Sequence, residues 1–419
     1  MVGVGEMDRE TLLSEGVAAK FIRYARVDTT SSEQSESTPS TEQQWELARM
    51  LEGELKAIGL VDVAVTEHAF VIGRLPSNVD RPAPAVGFVA HMDTVPGIPG
   101  SGVKPVVHSN YSGGPIEVGH GVVLDPYSSP VLSMAVGCDI ITSDGSTLLG
   151  ADDKAGIAGI MQALVTMVQD SSLPRPDVWV AFTPDEEIGS GVEKFPYSAF
   201  GANVAYTLDG GELGELSEET FNASNGVVTI HGVSAHPGTA RGKMINALHI
   251  ASEVLSSIPS GWRPETTHLR EGFIHPVELG GNVEQARIKL IIRDFDSDLL
   301  AMRERAFTAA LSALEARYPG SRIEWHNSGG YRNIKAGLDQ DPRVVELALQ
   351  AMKMAGVKPI VKPIRGGTDG ARMTFEGVLT PNLFTGGGDV HSRGEWVCVQ
   401  WMEKAAHTVT NLAGLWAQQ

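Results

Sequence analysis

Three short runs in this chain are apolar almost throughout and stop abruptly at acidic or histidine residues. Residues 85–90 run into His91-Met92-Asp93. Residues 177–182 are closed by Thr183-Pro184-Asp185-Glu186-Glu187, and residues 204–208 are followed by Asp209-Gly210-Gly211. A strand without polar alternation has both faces covered, as in the middle of a mostly parallel sheet between helices. An open sheet of that kind places ligand sites at the carboxyl ends of its strands, which is where these runs put their polar residues.

A fourth stretch has the same character. Thr147-Leu148-Leu149-Gly150 leads to two adjacent carboxylates, Asp152 and Asp153, before a nearly uncharged run to residue 168 that reads as a buried helix. Asp is a favoured N-cap and suits the positive end of the helix dipole. A cap alone does not account for two carboxylates entering a core, because a buried carboxylate must be paired, hydrogen-bonded or metal-bound. Further helices are expected over residues 10–27, 42–58, 343–354 and 395–416, and strands over 61–65, 69–75 and 359–364. Residues 96–130 read as a long Gly- and Pro-rich loop, a length that is often functional. After about residue 221, strands at 226–230, 286–295 and 322–325 alternate with helices at 243–258 and 299–318. That suits a separate two-layer domain of about 110 residues, and a chain of 419 residues has room for it.

Acidic residues outnumber basic ones 51 to 33, a formal charge of −18. No window clusters Lys and Arg, so nucleic acid is not an expected partner. No stretch is apolar enough for a signal peptide or a membrane span, and a cytoplasmic location without a membrane partner is expected. Two cysteines, Cys138 and Cys398, are too few for a disulfide framework or a thiolate metal site.

Any metal chemistry therefore rests on His, Asp and Glu. His91 and Asp93 share one side of a strand end, so the carboxylate can orient the imidazole, although taken alone the pair reads more readily as a plain loop contact. Glu186 and Glu187 repel unless a cation or a shared proton sits nearby. One can hold a metal while the other faces a water as general base; a solvated acidic turn is the bland alternative. With Asp152, Asp209 and His391 the set suits zinc, with cobalt or manganese as substitutes. Five such groups exceed one tetrahedral site and suggest two ions sharing a ligand.

His91-Met92-Asp93-Thr94, Gly150-Ala151-Asp152-Asp153-Lys154-Ala155-Gly156, Pro184-Asp185-Glu186-Glu187 and Leu208-Asp209-Gly210-Gly211 together resemble the dizinc M20 metallopeptidases, in particular their aminotripeptidase branch. Gly232-Val233-Ser234-Ala235-His236-Pro237-Gly238, Ile292-Arg293-Asp294-Phe295-Asp296 and Pro381-Asn382-Leu383-Phe384-Thr385-Gly386-Gly387 extend the likeness. The resemblance implies an α/β catalytic domain with a mostly parallel sheet (residues 1–220 and 331–419), interrupted by a ferredoxin-like α+β lid (221–330) through which many members dimerise. It implies one zinc on His91, Asp209 and a bridging Asp152, and a second on Asp152, Glu187 and His391. Glu186 would be the general base acting on a water between the two zinc ions, with Asp93 orienting His91. Substrate contacts would come from His236, Arg293 and Arg365, and from Asp153 toward a free amine. For Arg293, pairing with Asp294 or Asp296 is the competing reading.

Around His391 the pattern departs from that branch: Gly388-Asp389-Val390-His391-Ser392-Arg393-Gly394-Glu395 places an extra carboxylate, Asp389, beside the histidine, with Arg393 to offset it. The implied function is an aminopeptidase releasing the N-terminal residue of short peptides, tripeptides foremost. A dipeptidase or an N-acyl amino acid deacylase of the same mechanism is the alternative. A binding protein on a degraded hydrolase scaffold would have lost a ligand or Glu186, and every expected group is present.

Overall fold

The computed structural model describes residues 8–419; the first seven, and the part of the signal-peptide reading that falls on them, lie outside the described residues. Val178–Thr183, Val86–His91, Val204–Gly210 and Asn382–Phe384 lie side by side in that order, mutually parallel, at the centre of an eight-stranded sheet. Every residue of Val86–His91 is buried, as a strand covered on both faces requires. Val71–Leu75 and Val61–Val65 add antiparallel strands at one edge, and Glu215–Ser217 and Ile360–Val361 complete the other. His91 pairs with Thr183 and Val89 with Thr207, so the apolar strands end level.

The helix Ala151–Gln169 packs across Val86–His91 and Val204–Gly210, and Val399–Trp416 packs on it in turn. The approach is close enough to demand glycine at 156, where a Cβ would collide with the Leu208 carbonyl oxygen and the Asp153 carboxylate. Gly156→Ala is expected to lower stability by about 1–3 kcal/mol through overpacking. The urea midpoint measures it, and an unchanged midpoint would contradict this packing.

Three expectations change. The helix expected over residues 395–416 begins only at Val399, because Trp396–Cys398 pairs as a strand with Ile140–Thr142 and Gly387–Gly388. The helix expected over residues 10–27 is two, Arg9–Ser14 and Val17–Ala25, broken at Glu15-Gly16. The excursion at 96–130 is not a bare loop. It contributes Val106–His108 to a small sheet with Ile140–Thr142, Trp396–Cys398 and Gly387–Gly388, and forms a hairpin of Ile116–Gly119 with Val122–Leu124. Strands of three or four residues are too short to leave a readable period.

The chain divides into two units. One comprises the chain up to Glu218, Ile334–Lys362 and Thr368–Gln419; the other comprises Glu219–Asn333 and Pro363–Gly367. The short second piece joins through the Ile364 N–H on the Glu219 carbonyl and the Phe221 N–H on the Gly366 carbonyl. In this unit four antiparallel strands run in the order Phe273–Gly281, Gln285–Asp294, Asn222–His231, Arg322–Gly329, with helices Ala247–Ser257 and Ser297–Arg317 packed against them. That βαββαβ arrangement is the ferredoxin-like one. Val228, Ile230, Ile250, Val254, Ile288, Leu290 and Phe307 form its core. Sequence periodicity misses Phe273–Gly281, an edge strand with Pro276 inside it and an exposed Val277 and Leu279. Among the described residues no helix is long and apolar enough to cross a membrane.

Candidate dinuclear metal centre

The level strand ends of the larger unit bring five groups together. His91 closes its strand with its ring buried. Its Nδ1 lies 3.0 Å from the Asp93 carbonyl oxygen and 3.3 Å from Asp93 Oδ1, an arrangement that holds the proton on Nδ1 and leaves the Nε2 lone pair facing outward. Nε2 is 2.9 Å from Asp152 Oδ1 and 3.7 Å from Asp209 Oδ1. The other Asp152 oxygen, Oδ2, is 3.2 Å from His391 Nε2, which is 2.9 Å from Glu187 Oε2. Asp152 thus turns one oxygen to His91 and the other to His391, with Asp209 beside the first histidine and Glu187 beside the second. The remaining Glu187 oxygen, Oε1, is buried with no hydrogen-bond partner, a demand that a cation meets.

Each group is held by its own backbone. Asp93 is fully buried; its Oδ1 accepts the Glu186 N–H at 2.9 Å and its Oδ2 the Glu187 N–H at 3.2 Å. One carboxylate therefore locks both the His91 ring and the Glu186-Glu187 turn. Asp152 has φ −85° and ψ 103°, outside helical geometry, so its side chain projects from the start of the helix. Asp209 leaves its strand with its N–H on Asn382 Oδ1 at 3.0 Å, and His391 sits in a turn at φ +56°.

The electrostatics point the same way. Burial, followed by the Asp152 charge, pushes Asp209 up to about 7. Burial raises Glu187 as well, and burial and then the Asp209 charge raise Glu186 well above its ordinary value. For His391, hydrogen bonds to Asp152 and Glu187 raise the imidazole to about 10. So many carboxylates with so little fixed positive charge call for a cation. Two donor groups already converge: His91, Asp152 and Glu187, and His91, Asp153 and Asp209, each with ligand atoms within 4.8 Å of one another. Imidazole and carboxylate donors without thiolate suit zinc, cobalt or manganese.

Asp153 is not a rim residue that could meet a substrate amine. It is buried, its Oδ2 accepts the His91 backbone N–H at 3.2 Å, and its Oδ1 accepts the Gly156 N–H at 3.2 Å as a helix cap. Asp389 does not depend on Arg393: its Oδ2 accepts the Trp396 indole N–H at 3.0 Å. The other sequence-derived substrate residues belong to the second unit. His236 is exposed, its Nδ1 accepting the Gly238 N–H at 3.2 Å. Arg293 donates to Asn225 Oδ1 at 2.9 Å and stacks on Tyr331. Its expected acidic competitors are engaged elsewhere, Asp294 by Arg303 at 2.8 Å and Asp296 as a helix cap. Arg365 donates to the Leu269 and Glu271 carbonyls at 2.6 and 2.9 Å and lies over Phe221 and Phe273.

Sequence reasoning gave no role to three buried carboxylates beside the centre. Asp185 takes the Ser40 N–H at 2.7 Å and the Gln44 amide at 2.7 Å. Asp369 accepts from Thr183 Oγ1 at 2.8 Å, and Glu395 clasps the start of the long helix. The one available signal was a Glu at the head of the apolar run Trp396-Val397-Cys398.

Residues 147–414 match the model of Peptidase family M20/M25/M40. The chain belongs to peptidase family M20. Among curated M20 proteins it is 44% identical over 407 residues to peptidase T of Shouchella clausii, spanning 97% of this chain and 100% of that one. Among solved structures it resembles aminopeptidase PepT from Bacillus cereus (TM-score 0.74, 23% identity, 99% and 100% of the two chains). It also resembles a tripeptidase from Staphylococcus aureus (TM-score 0.76, 20% identity, 99% and 100%).

Proposed function

We propose that this M20 peptidase is a dinuclear metal aminopeptidase that releases the N-terminal residue of short peptides, tripeptides foremost. The observation that carries the reading is Asp152, which turns one oxygen to His91, itself beside Asp209, and the other to His391, itself beside Glu187. We assign one zinc to His91, Asp152 and Asp209 and the second to Asp152, Glu187 and His391. Such a pair, when bound, polarises a scissile carbonyl and acidifies water.

The chain's own groups do the rest. The Glu186 carboxylate takes a proton from the attacking water and returns it to the leaving amine nitrogen. Asp93 keeps His91 Nε2 aimed and anchors the Glu186 backbone. Asp153 is assigned to holding His91 rather than to the substrate amine. His236 is proposed to meet the carbonyl oxygen, and Arg293 and Arg365 the peptide carboxylate, with the second unit limiting peptide length and excluding water. A homodimer through that unit, measurable by sedimentation equilibrium, and a cytoplasmic location complete the reading.

A panel of di-, tri- and tetrapeptides with free and acetylated N-termini tests it. Leu-Gly-Gly is expected to release leucine, and its acetylated form to resist. Turnover of acetylated substrates alone would move the assignment to an N-acyl amino acid deacylase of the same chemistry.

A further inference from the structure

Glu395 has no part in the chemistry above, yet it is only 1% exposed and all three backbone hydrogen bonds it accepts come from one segment. Its Oε2 accepts the N–H groups of Leu149 and Gly150 at 2.8 and 2.7 Å, and its Oε1 accepts the Asp152 N–H at 2.9 Å. Backbone N–H groups at a helix start lack partners within the helix, and Gly150, the N-cap here, has no side chain to supply one. The capping acid comes instead from 246 positions away in the chain, measured from Leu149. Because Asp152 and Asp153 both depart from helical φ/ψ, the helix itself does not fix where Asp152 points.

On its own side, Glu395 immediately precedes Trp396–Cys398, which pairs with Gly387–Gly388 and closes the turn that bears His391. A second tie, from the Trp396 indole to Asp389, braces the same turn. A single side chain thus joins the segment carrying Asp152 to the turn carrying His391, whose Nε2 lies 3.2 Å from Asp152 Oδ2. His91 is placed independently, by its strand and by Asp93 and Asp153.

We propose that Glu395 is a positioning residue that registers Asp152 against His391 and so sets the affinity of the Asp152–Glu187–His391 cation site in preference to the His91–Asp152–Asp209 site. The proposal rests on the two-cation reading of Asp152. An amide at 395 cannot accept all three N–H groups, since its NH₂ opposes at least one of them. Losing a partner of this kind lowers metal affinity by roughly 10–100-fold, and here the loss falls on one site of the two.

Calorimetric titration of the metal-free wild type and of Glu395→Gln with Zn²⁺, alongside thermal unfolding of the metal-free proteins, tests this. Wild type is expected to bind two ions, and Glu395→Gln to keep one at wild-type affinity while the other weakens by about 10–100-fold. Glu395→Asp keeps the charge but withdraws it by one methylene. It is expected to weaken the same single site, and it replaces the Gln variant if that fails to fold. Two ions bound at wild-type affinity, or both weakened equally together with a lower unfolding midpoint, overturns the proposal. A wild type that binds fewer than two ions overturns the two-cation reading beneath it.

Discussion

Glu186→Gln is expected to lower kcat on a free tripeptide by about 1,000-fold, inside the range that general acid–base groups supply, while two cations stay bound. The backbone of Glu186 is fixed by Asp93 Oδ1 at 2.9 Å, so the variant removes a proton acceptor without moving the turn. Among the close contacts that Asp152, His91 and His391 make with ligand-type atoms, none involves the Glu186 carboxylate, so metal content should not follow activity downward. Burial and then the Asp209 charge raise its carboxyl well above the ordinary value, and bound cations oppose that rise. Because the base works deprotonated, kcat/KM of the wild type falls as pH drops through its titration, and Glu186→Gln should lose this acid limb. Elemental analysis beside steady-state kinetics reads both quantities. Full turnover in the variant would take Glu186 off the proton path.

Asp152→Asn is expected to act on the metal itself. The substitution leaves one oxygen where the wild type offers two, one 2.9 Å from His91 and one 3.2 Å from His391. Neither assigned ion keeps its full set of anionic donors. The loss in affinity should exceed the roughly 100-fold that an outer hydrogen-bond partner contributes, and stoichiometry should fall from two ions to one or none with activity lost in step. Comparison with Glu186→Gln separates the two roles: one variant keeps metal and loses the proton, the other loses metal. An Asn variant that still binds two ions tightly would mean that Asp152 is not the shared ligand.

The centre was legible in the sequence because of an uncommon juxtaposition. His91 and Asp209 stand at the ends of runs that are buried along nearly their whole length, and a polar group ending such a run has few places to go except a site. Glu187 and Asp152 were legible for the same reason, each just beyond an apolar stretch. Asp153 was harder: whether the second of two adjacent carboxylates faces inward or toward substrate depends on local φ and ψ, which composition does not carry. The turn of Asp152 away from helical geometry sends its neighbour down onto the His91 and Gly156 N–H groups.

What the sequence alone determined is therefore what rests on local pattern: the buried parallel strands, the long helix, the small α+β unit and the His/Asp/Glu donor set. Hydrophobic period and residue chemistry are properties of a short window, and a window suffices to read them. Tertiary structure alone decided which oxygen of Asp152 faces which histidine and that Pro363–Gly367 joins the second unit. It also decided that residues 96–130 feed a sheet shared with Trp396–Cys398, and that Glu395 caps a helix starting more than 240 residues earlier in the chain. Each of these is a hydrogen bond or a packing contact between segments remote in the chain, and it comes into being only when the fold has brought both partners together.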